Sequence, residues 1–555
     1  MALIHGLHFN NLRGDIYGGL TAAVVALPLA MAMGVASGAG PVAGLYGAIF
    51  VGFFAALFGG TPAQVSGPTG PMTVVMAAIF LQYTSMFPDD PAHGAALAFT
   101  VVMLGGLFQI ILGLLRWGKY IELVPHPVVS GFMSGIGVII ILLQFGPMLG
   151  HATVSKPVDA AQAIPGLLQN INSTALVLAL ITLLIVYGVP SLLPRLNRLI
   201  PSPLLALIAG TVGYVVFLAP GSTPIIGTIP TGIPELRLPT VDTALAMKMV
   251  ASAITLAGLG AIDSLLTSLV ADNVTRTLHR SNRELIGQGI GNTVAGLFGG
   301  LPGAGATMRT MVNVKAGGRT PISGALHALV LLAIVLGAGS LASNIPKAVL
   351  AGILIKVGTD IIDWSYLKRL QHLPKAGVAI MLVVLIVTVT IDLLLAVGIG
   401  MVMASFLFMQ RMTDLQIKGM STITQAEEDS PLSAEEAEVF NRGNERIMLF
   451  HLSGPMSFSS AKSIVRRHTE APDYDIMLLD LTDTLSIDYT SARAMEDVIA
   501  DSLEAECIVY LVGARPEVRA ILDKQQVTQR LDKDFIYAKR IDALHDAVKR
   551  LEEKA

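Results

Sequence analysis

Asp263 is the residue whose position most needs explaining. It stands in the apolar run from Ala253 to Val270, and its nearest charged neighbours along the chain are Lys248 and Asp272. A carboxylate at membrane depth is costly, and such residues mark ion or substrate pathways. Thr267 follows one helical turn later, so the carboxylate and this hydroxyl face the same side. Ser264 and Ser268 add a second polar pair. A carboxylate, a hydroxyl and unpaired backbone carbonyls make an oxygen-rich set suited to a hard cation, and sodium fits such ligands. Two other readings stay open: a proton carrier, and a carboxylate that merely packs against Ser or Thr of a neighbouring helix.

Backbone carbonyls become available where a helix is broken. Gly59-Gly60-Thr61-Pro62 is followed by Gly67-Pro68-Thr69-Gly70-Pro71, and Gly299-Gly300-Leu301-Pro302 by Gly303-Ala304-Gly305-Ala306-Thr307. The segment 303–307 would supply carbonyls, and Thr307 a further hydroxyl. A helix N-terminus also exposes unpaired N–H groups and carries partial positive charge. Two such ends meeting near the midplane form an anion cradle without Arg or Lys. Thr69 starts the first short helix; Ala306 and Thr307 start the second. Arg309 lies just inside the second and faces either the cavity, adding positive potential, or the cytoplasmic vestibule. Tyr17 and Gln64 are further candidate lining groups. Taken singly, each glycine cluster reads as a kink or a close-packing position. Two clusters at corresponding places favour an inverted-repeat transporter with two broken helices, because unwound backbone in a bilayer must be buried or line a cavity.

The elements that hold these residues are membrane spans. The chain has 555 residues, 53% hydrophobic and 14% charged, with net charge -3 and one cysteine, Cys507. Soluble domains carry roughly 25% charged residues. This composition excludes a disordered chain and a disulfide scaffold or Cys-rich metal domain, and no dense basic face speaks for nucleic acid. No charged residue occurs from Ile16 to Pro88, enough for three crossings at about 20 residues each. The apolar stretch after Arg13 is too long for a cleavable signal peptide. Fourteen elements are expected in an all-α polytopic domain. The first seven are 16–37, 41–58, 67–80, 96–115, 124–148, 171–190 and 203–219. The second seven are 247–271, 285–300, 305–314, 322–340, 344–361, 375–390 and 392–410. The third and tenth are too short to cross alone. Basic residues follow the even-numbered elements: Arg116 and Lys119, Arg195 and Arg198, Arg276, Arg280 and Arg283, Lys315 and Arg319, Lys368, Arg369 and Lys375. Lys156, Arg237 and Lys347 are the minority. The bias places those loops, and both termini, in the cytoplasm. No HExxH, Walker A or GxSxG motif is present, so the expected activity is secondary transport, not enzymatic. A channel is the main competitor.

Composition changes after Arg411. The expected division is 1–412 for the transmembrane domain, 413–443 for an acidic, solvated linker and 444–555 for a soluble domain. Strands are expected at 446–452, 476–481 and 507–512, and helices near 458–469, 490–504, 515–523 and 541–553. That alternation implies a small α/β domain, large enough to fold on its own.

Specific motifs carry a resemblance. Ala26-Leu27-Pro28-Leu29-Ala30-Met31-Ala32, Pro41-Val42-Ala43-Gly44-Leu45-Tyr46, Gly67-Pro68-Thr69, Gly131-Phe132-Met133-Ser134-Gly135 and Asp363-Trp364 resemble the sulfate permease (SulP/SLC26) family of anion transporters. The C-terminal part resembles its STAS domain. The resemblance implies a UraA-like fold of seven plus seven inverted repeats, core and gate subdomains, elevator-like motion and a homodimer in a bacterial inner membrane. Within the family, Gly260-Ala261-Ile262-Asp263, Leu266-Thr267-Ser268, Ala271-Asp272 and Gly303 to Thr307 are most similar to cyanobacterial bicarbonate carriers. That similarity implies a sodium region of Asp263, Thr267, Gly305, Ala306 and Thr307, an anion region at Thr69 and Ala306, and no organic cofactor. Pro302 and Arg309 depart from the pattern, and Arg309 would suit sulfate or a dicarboxylate. The leading expectation is sodium-coupled bicarbonate uptake. The alternatives are proton-coupled sulfate or dicarboxylate transport and, in another class, an anion channel or a STAS-centred signalling protein. In related STAS modules a phosphorylatable Ser or Thr follows an aspartate at a helix start. Thr490 holds that position in Asp488-Tyr489-Thr490-Ser491, where it also reads as an ordinary helix N-cap.

Overall fold

The computed structural model describes residues 4–121, 124–152, 156–227, 234–338, 343–391, 393–427 and 430–554. The chain divides into two compact units, Met1–Val402 and Met403–Ala555.

The first unit is helical. Among the described residues, fourteen helices follow the fourteen expected elements. They are α1 (Leu12–Ala36), α2 (Pro41–Phe58), α3 (Gly70–Met86), α4 (Pro91–Leu114), α5 (His126–Met148), α6 (Ser173–Leu192) and α7 (Ser202–Phe217), then α8 (Ala246–Thr275), α9 (Ser281–Leu297), α10 (Thr307–Lys315), α11 (Pro321–Ala338), α12 (Lys347–Ile361), α13 (Lys375–Thr390) and α14 (Leu393–Lys418). Seven of these (α1, α2, α4, α5, α6, α8 and α14) are long and apolar enough to cross a membrane; α7, α11 and α13 are shorter apolar helices. Proline in the first turn of α2, α3, α4, α5 and α7 presets the helical φ where its missing N–H costs nothing. Outward positions such as Leu184, Leu192, Val216 and Phe217 are largely exposed, an apolar surface that suits lipid.

Packing falls into two groups. α9 lies against α4 and α2, α11 against α2 and α1, and α8 against α4; α12 and α13 lie against α5, and α6 against α12 and α7. The two broken elements join within the first group. α3 starts three residues later than expected and runs on to Met86, because Ser66–Gly67 is an extended strand, β1. α10 is only nine residues long and is preceded by β2 (Ala304–Gly305). β1 and β2 pair antiparallel, Ser66 opposite Gly305 and Gly67 opposite Ala304. The ribbon needs glycine: Gly67 has φ of 149°, and a Cβ there would lie 2.7 Å from Arg309 Nη1.

The second unit opens with the end of α14. Residues 413–443, expected as a linker, carry that helix end, strand β3 (Met420–Ile423) and helix α15 (Ala434–Asn441). They are followed by β4 (Ile447–Leu452), β5 (Gly454–Met456), α16 (Phe458–Thr469), β6 (Ile476–Asp480), β7 (Thr484–Ile487), α17 (Tyr489–Glu504), β8 (Ile508–Val512), α18 (Pro516–Lys524), β9 (Ile536–Tyr537) and α19 (Arg540–Lys554). One sheet has the order β3-β4-β6-β8-β9. β3 is antiparallel to β4, and the other pairs are parallel. β4 and β6 are buried along their whole length, which explains their continuous apolar runs. α16, α17 and α18 cover one face; α15 and α19 cover the other. At the end of β6, Asp480 is fully buried. Its carboxylate accepts hydrogen bonds from His451 at 2.7 Å, Thr482 Oγ1 at 2.5 Å and Arg540 at 2.7 Å. Burial alone would raise its pKa; those donors and the Arg540 charge outweigh burial and hold it at about 2.

Candidate functional site

α8 runs past both helix breaks and presents Asp263, Ser264, Thr267 and Ser268, all buried, to the β1–β2 ribbon. Thr69 occupies the N-cap position of α3, yet its side chain does not cap that helix. Its hydroxyl donates instead to Asp263 Oδ2 at 2.6 Å. On the other strand, Thr267 donates to the Gly305 carbonyl at 2.8 Å. A hydroxyl has one proton, so the 2.7 Å contact between Thr267 and Thr307 is donated by Thr307. Ser264 Oγ accepts the Gly305 N–H at 3.1 Å.

The helix starts are open. In α3 the ladder begins with the Thr73 N–H to the Thr69 carbonyl, and in α10 with the Thr310 N–H to the Ala306 carbonyl. The amides of Gly70 and Met72, and of Thr307, Met308 and Arg309, precede those first bonds; Pro71 has none. Ala306 itself ties its N–H to the Val65 carbonyl at 2.9 Å. Two partial positive helix ends therefore lie beside α8, the start of α3 at Asp263 through Thr69 and the start of α10 at Thr267 through Thr307.

The structure thus joins Asp263 to Thr69, and Thr267 to Gly305 and Thr307, with Ala306 at the head of α10. Arg309 is buried between the two breaks and does not reach an exposed vestibule. It is 1% exposed, Nη2 donates to the Pro68 carbonyl, and Nη1 is buried without a hydrogen-bond partner among the described residues. Its charge sits between the two breaks and attracts Asp263. Gln64 lies behind the ribbon, donating to Glu284 at 2.7 Å and accepting from Ser268 at 3.0 Å. Tyr17 is 57% exposed on α1 and stands outside this hydrogen-bonded set. Thr490, in the other unit, is exposed one residue into α17; the N-cap of that helix is Asp488, which corrects the capping assignment for Thr490.

Sequence reasoning missed Glu284, Gln288 and Asn292, all buried on α9. Their signal was a polar residue every fourth position in an otherwise small and apolar helix. Among the described residues no three His, Cys, Asp or Glu side chains gather as a metal centre; the oxygens around α8 are one carboxylate with hydroxyls and carbonyls.

The profile of the Sulfate permease family matches residues 12–384, and that of the STAS domain matches 440–543. The bicarbonate transporter BicA of Synechocystis sp. is 48% identical over 549 residues, covering 99% of this chain and 96% of that protein. The solved transmembrane domain of a cyanobacterial bicarbonate transporter BicA is 51% identical, covers 71% of this chain and 100% of its own, and superposes with a TM-score of 0.66. The overall structure of SLC26A9 shares the fold at 18% identity and a TM-score of 0.83, over 99% of this chain and 92% of its own. The chain belongs to the sulfate permease family: it is a multi-pass secondary anion transporter, a carrier rather than an enzyme, with a STAS domain after its membrane unit.

Proposed function

We propose that the chain takes up bicarbonate with sodium across a bacterial inner membrane, as a homodimer with both termini in the cytoplasm. The observation that carries this reading is the convergence of Asp263, Thr267, the Gly305 carbonyl and Thr307 beside the open ends of α3 and α10. Sodium is the co-transported cation, drawn to one carboxylate and neutral oxygens; bicarbonate occupies the cradle formed by the two helix starts. Identity with proteins named as bicarbonate transporters supports the choice of anion. The two packing groups support an elevator-type movement in which the group bearing α3, α8 and α10 carries the site against the group built on α5. The unit after the membrane helices is read as a cytoplasmic assembly and regulatory module.

Radiolabelled uptake in proteoliposomes, with sodium and pH gradients imposed separately, tests the reading. Saturable bicarbonate uptake that follows the sodium gradient is expected; uptake indifferent to sodium overturns it. One observation favours a second substrate class, sulfate or a dicarboxylate driven by protons: Arg309 Nη1, without a hydrogen-bond partner among the described residues, adds positive charge near the cradle. Competition of labelled bicarbonate uptake by sulfate or succinate separates the two.

A further inference from the structure

α9 carries a buried polar stripe, Glu284, Gln288 and Asn292, spaced one turn apart. Each member holds a different part of the helix crossing. Glu284 Oε2 accepts the N–H groups of Gly60 and Thr61 at 2.8 and 2.9 Å. Its Oε1 accepts Gln64 Nε2 at 2.7 Å and Gln288 Nε2 at 2.8 Å. Gln288 also donates to Ser66 Oγ in β1 at 2.6 Å. Asn292 exchanges both bonds with the backbone of Gly303, just ahead of β2, at 2.9 and 2.7 Å. The stripe is therefore bonded to β1, to the residue just ahead of β2 and to the turn that leads into β1.

Glu284 is the one ionisable member, and four neutral N–H donors surround it. A buried charge so completed stays in place because moving any donor would strand it. Gln64 passes this constraint on. Its Oε1 lies 3.0 Å from Ser268 Oγ on α8, a hydroxyl that shares its proton between Gln64 and the Ser264 carbonyl at 2.9 Å. Its amide also packs so closely on Gly305 that a Cβ there would lie 2.3 Å from Nε2. Gly305 is the residue whose carbonyl takes the Thr267 hydroxyl.

We propose that Glu284 is a positioning residue for the cation site: through Gln64 it fixes Ser268 on α8 and Gly305 on β2, and so sets the spacing of the oxygens that bind sodium. It makes no contact with the ion. The proposal rests on the sodium-coupled reading above. A cation is more sensitive to this spacing than an anion held by two helix ends, because hard cations discriminate among oxygen sets by distance and rigidity.

The test is the sodium concentration for half-maximal bicarbonate uptake in proteoliposomes, measured for four chains. Glu284→Gln puts an NH2 group among four donors and breaks at least one bond. Gln64→Leu leaves the Glu284 carboxylate bonded to Gly60 and Thr61 and cuts the Gln64 link to α8 and β2, while Thr61 Oγ1 keeps its 2.7 Å contact with Ser268. Glu284→Gln/Gln64→Glu exchanges acceptor and donor and remakes the link. The expected result is a rise of roughly tenfold in the half-saturating sodium concentration for each single variant, about the worth of one lost bond to a charged group. Bicarbonate half-saturation at excess sodium should stay within about twofold of wild type, and the double variant should recover much of the sodium affinity. A merely structural Glu284 would instead lower the maximal rate at unchanged sodium dependence. That outcome, an unshifted Gln64→Leu chain, or a double variant no better than the single ones, overturns the proposal. A wild-type chain indifferent to sodium overturns the sodium reading itself.

Discussion

Glu284 and Asp263 lie on consecutive helices and are both nearly fully buried, at 1% and 4% exposed, yet their surroundings differ. Four N–H donors complete Glu284. Among the described residues one side chain donates to Asp263, the Thr69 hydroxyl. A carboxylate can accept about four hydrogen bonds, so Glu284 has little capacity for a further ligand and Asp263 has much. The first is held as part of the frame; the second keeps its lone pairs for something that arrives. The soluble unit offers a third solution. Asp480 is also fully buried, and it is completed by charge, through Arg540, as well as by His451 and Thr482. An arginine satisfies a carboxylate permanently; under the proposed sodium coupling, the partner of Asp263 must be able to leave.

The sharpest way to break this comparison is to neutralise the incomplete carboxylate. Asp263→Asn keeps the shape and the Thr69 contact but removes the counter-charge of the cation. Loss of one partner from a buried ion pair costs about 4 kcal/mol, on the order of a thousandfold in sodium affinity. Sodium-stimulated uptake should vanish while the protein still reaches the membrane in near-normal amount. Full sodium dependence in that variant would remove Asp263 from the coupling site.

The completed carboxylate of the soluble unit should instead yield a stability effect with no effect on sodium affinity. Asp480→Asn strands part of Arg540, which keeps Glu436 at 2.9 Å, so the cost should fall near about 3 kcal/mol. Hydrogen exchange on the full-length protein reads it as faster exchange in β4 and β6. Acid probes the same group more gently. The pKa of Asp480 in the folded chain, about 2, is below its unfolded value of about 3.9. Its contribution is therefore complete above about pH 4 and is lost as pH falls through 2. The loss amounts to roughly 2 kcal/mol. Exchange in β6 that is flat between pH 4 and 2, after correction for the intrinsic rate, would contradict this assignment.

A smaller effect is expected at Thr307, which bonds Thr267 one turn along α8 from Asp263. Thr307→Val removes the hydroxyl that donates to Thr267 and preserves the volume. A single neutral hydrogen bond is worth about 1 kcal/mol, or about a fivefold rise in half-saturating sodium. Thr307→Ser should restore it. Identical sodium dependence in the valine and serine variants would show that Thr307 belongs to packing alone.

The legibility of the molecule in its sequence followed the range of the forces involved. Most of the fourteen helices could be read because an apolar run encodes each locally, with proline in the first turn of several. Asp263 and Thr267 could be read because i, i+4 spacing puts them on one face whatever the fold. Thr69 and Thr307 were legible as helix starts, but their hydroxyl partners were not. Those partners are Asp263, 194 residues away, and Thr267, 40 residues away. The β1–β2 ribbon is two residues wide and joins positions more than 200 apart, so no local pattern announces it. Glu284 was hidden for the opposite reason: directly after Arg283, in the first turn of a helix, it resembles an ordinary solvated acidic residue. In the soluble unit, β3, β5, β7 and β9 run for two to four residues each, too short for alternation to show.

The smallest effect is expected at Thr490, and it separates capping from signalling. The two helix starts in the soluble unit share one carboxylate. Asp488 accepts the Ser491 N–H at 2.8 Å in its own helix and the Phe458 N–H at 2.6 Å from α16. Thr490 is exposed beside it. Asp488→Ala should therefore cost about 1 to 2 kcal/mol, the usual worth of a lost N-cap, and Thr490→Ala should stay within about 0.5 kcal/mol, as surface substitutions do. Exchange protection in α16 and α17 measures both. A modification at Thr490 would act by charge: a phosphate there meets the partial positive end of α17 but also the Asp488 carboxylate, which it would repel from the two N–H groups. Thr490→Glu should thus loosen the start of α16 while Thr490→Ala does not. A destabilisation above about 1 kcal/mol in Thr490→Ala would return the residue to a capping role, because an exposed side chain that cements nothing has no such stability to lose.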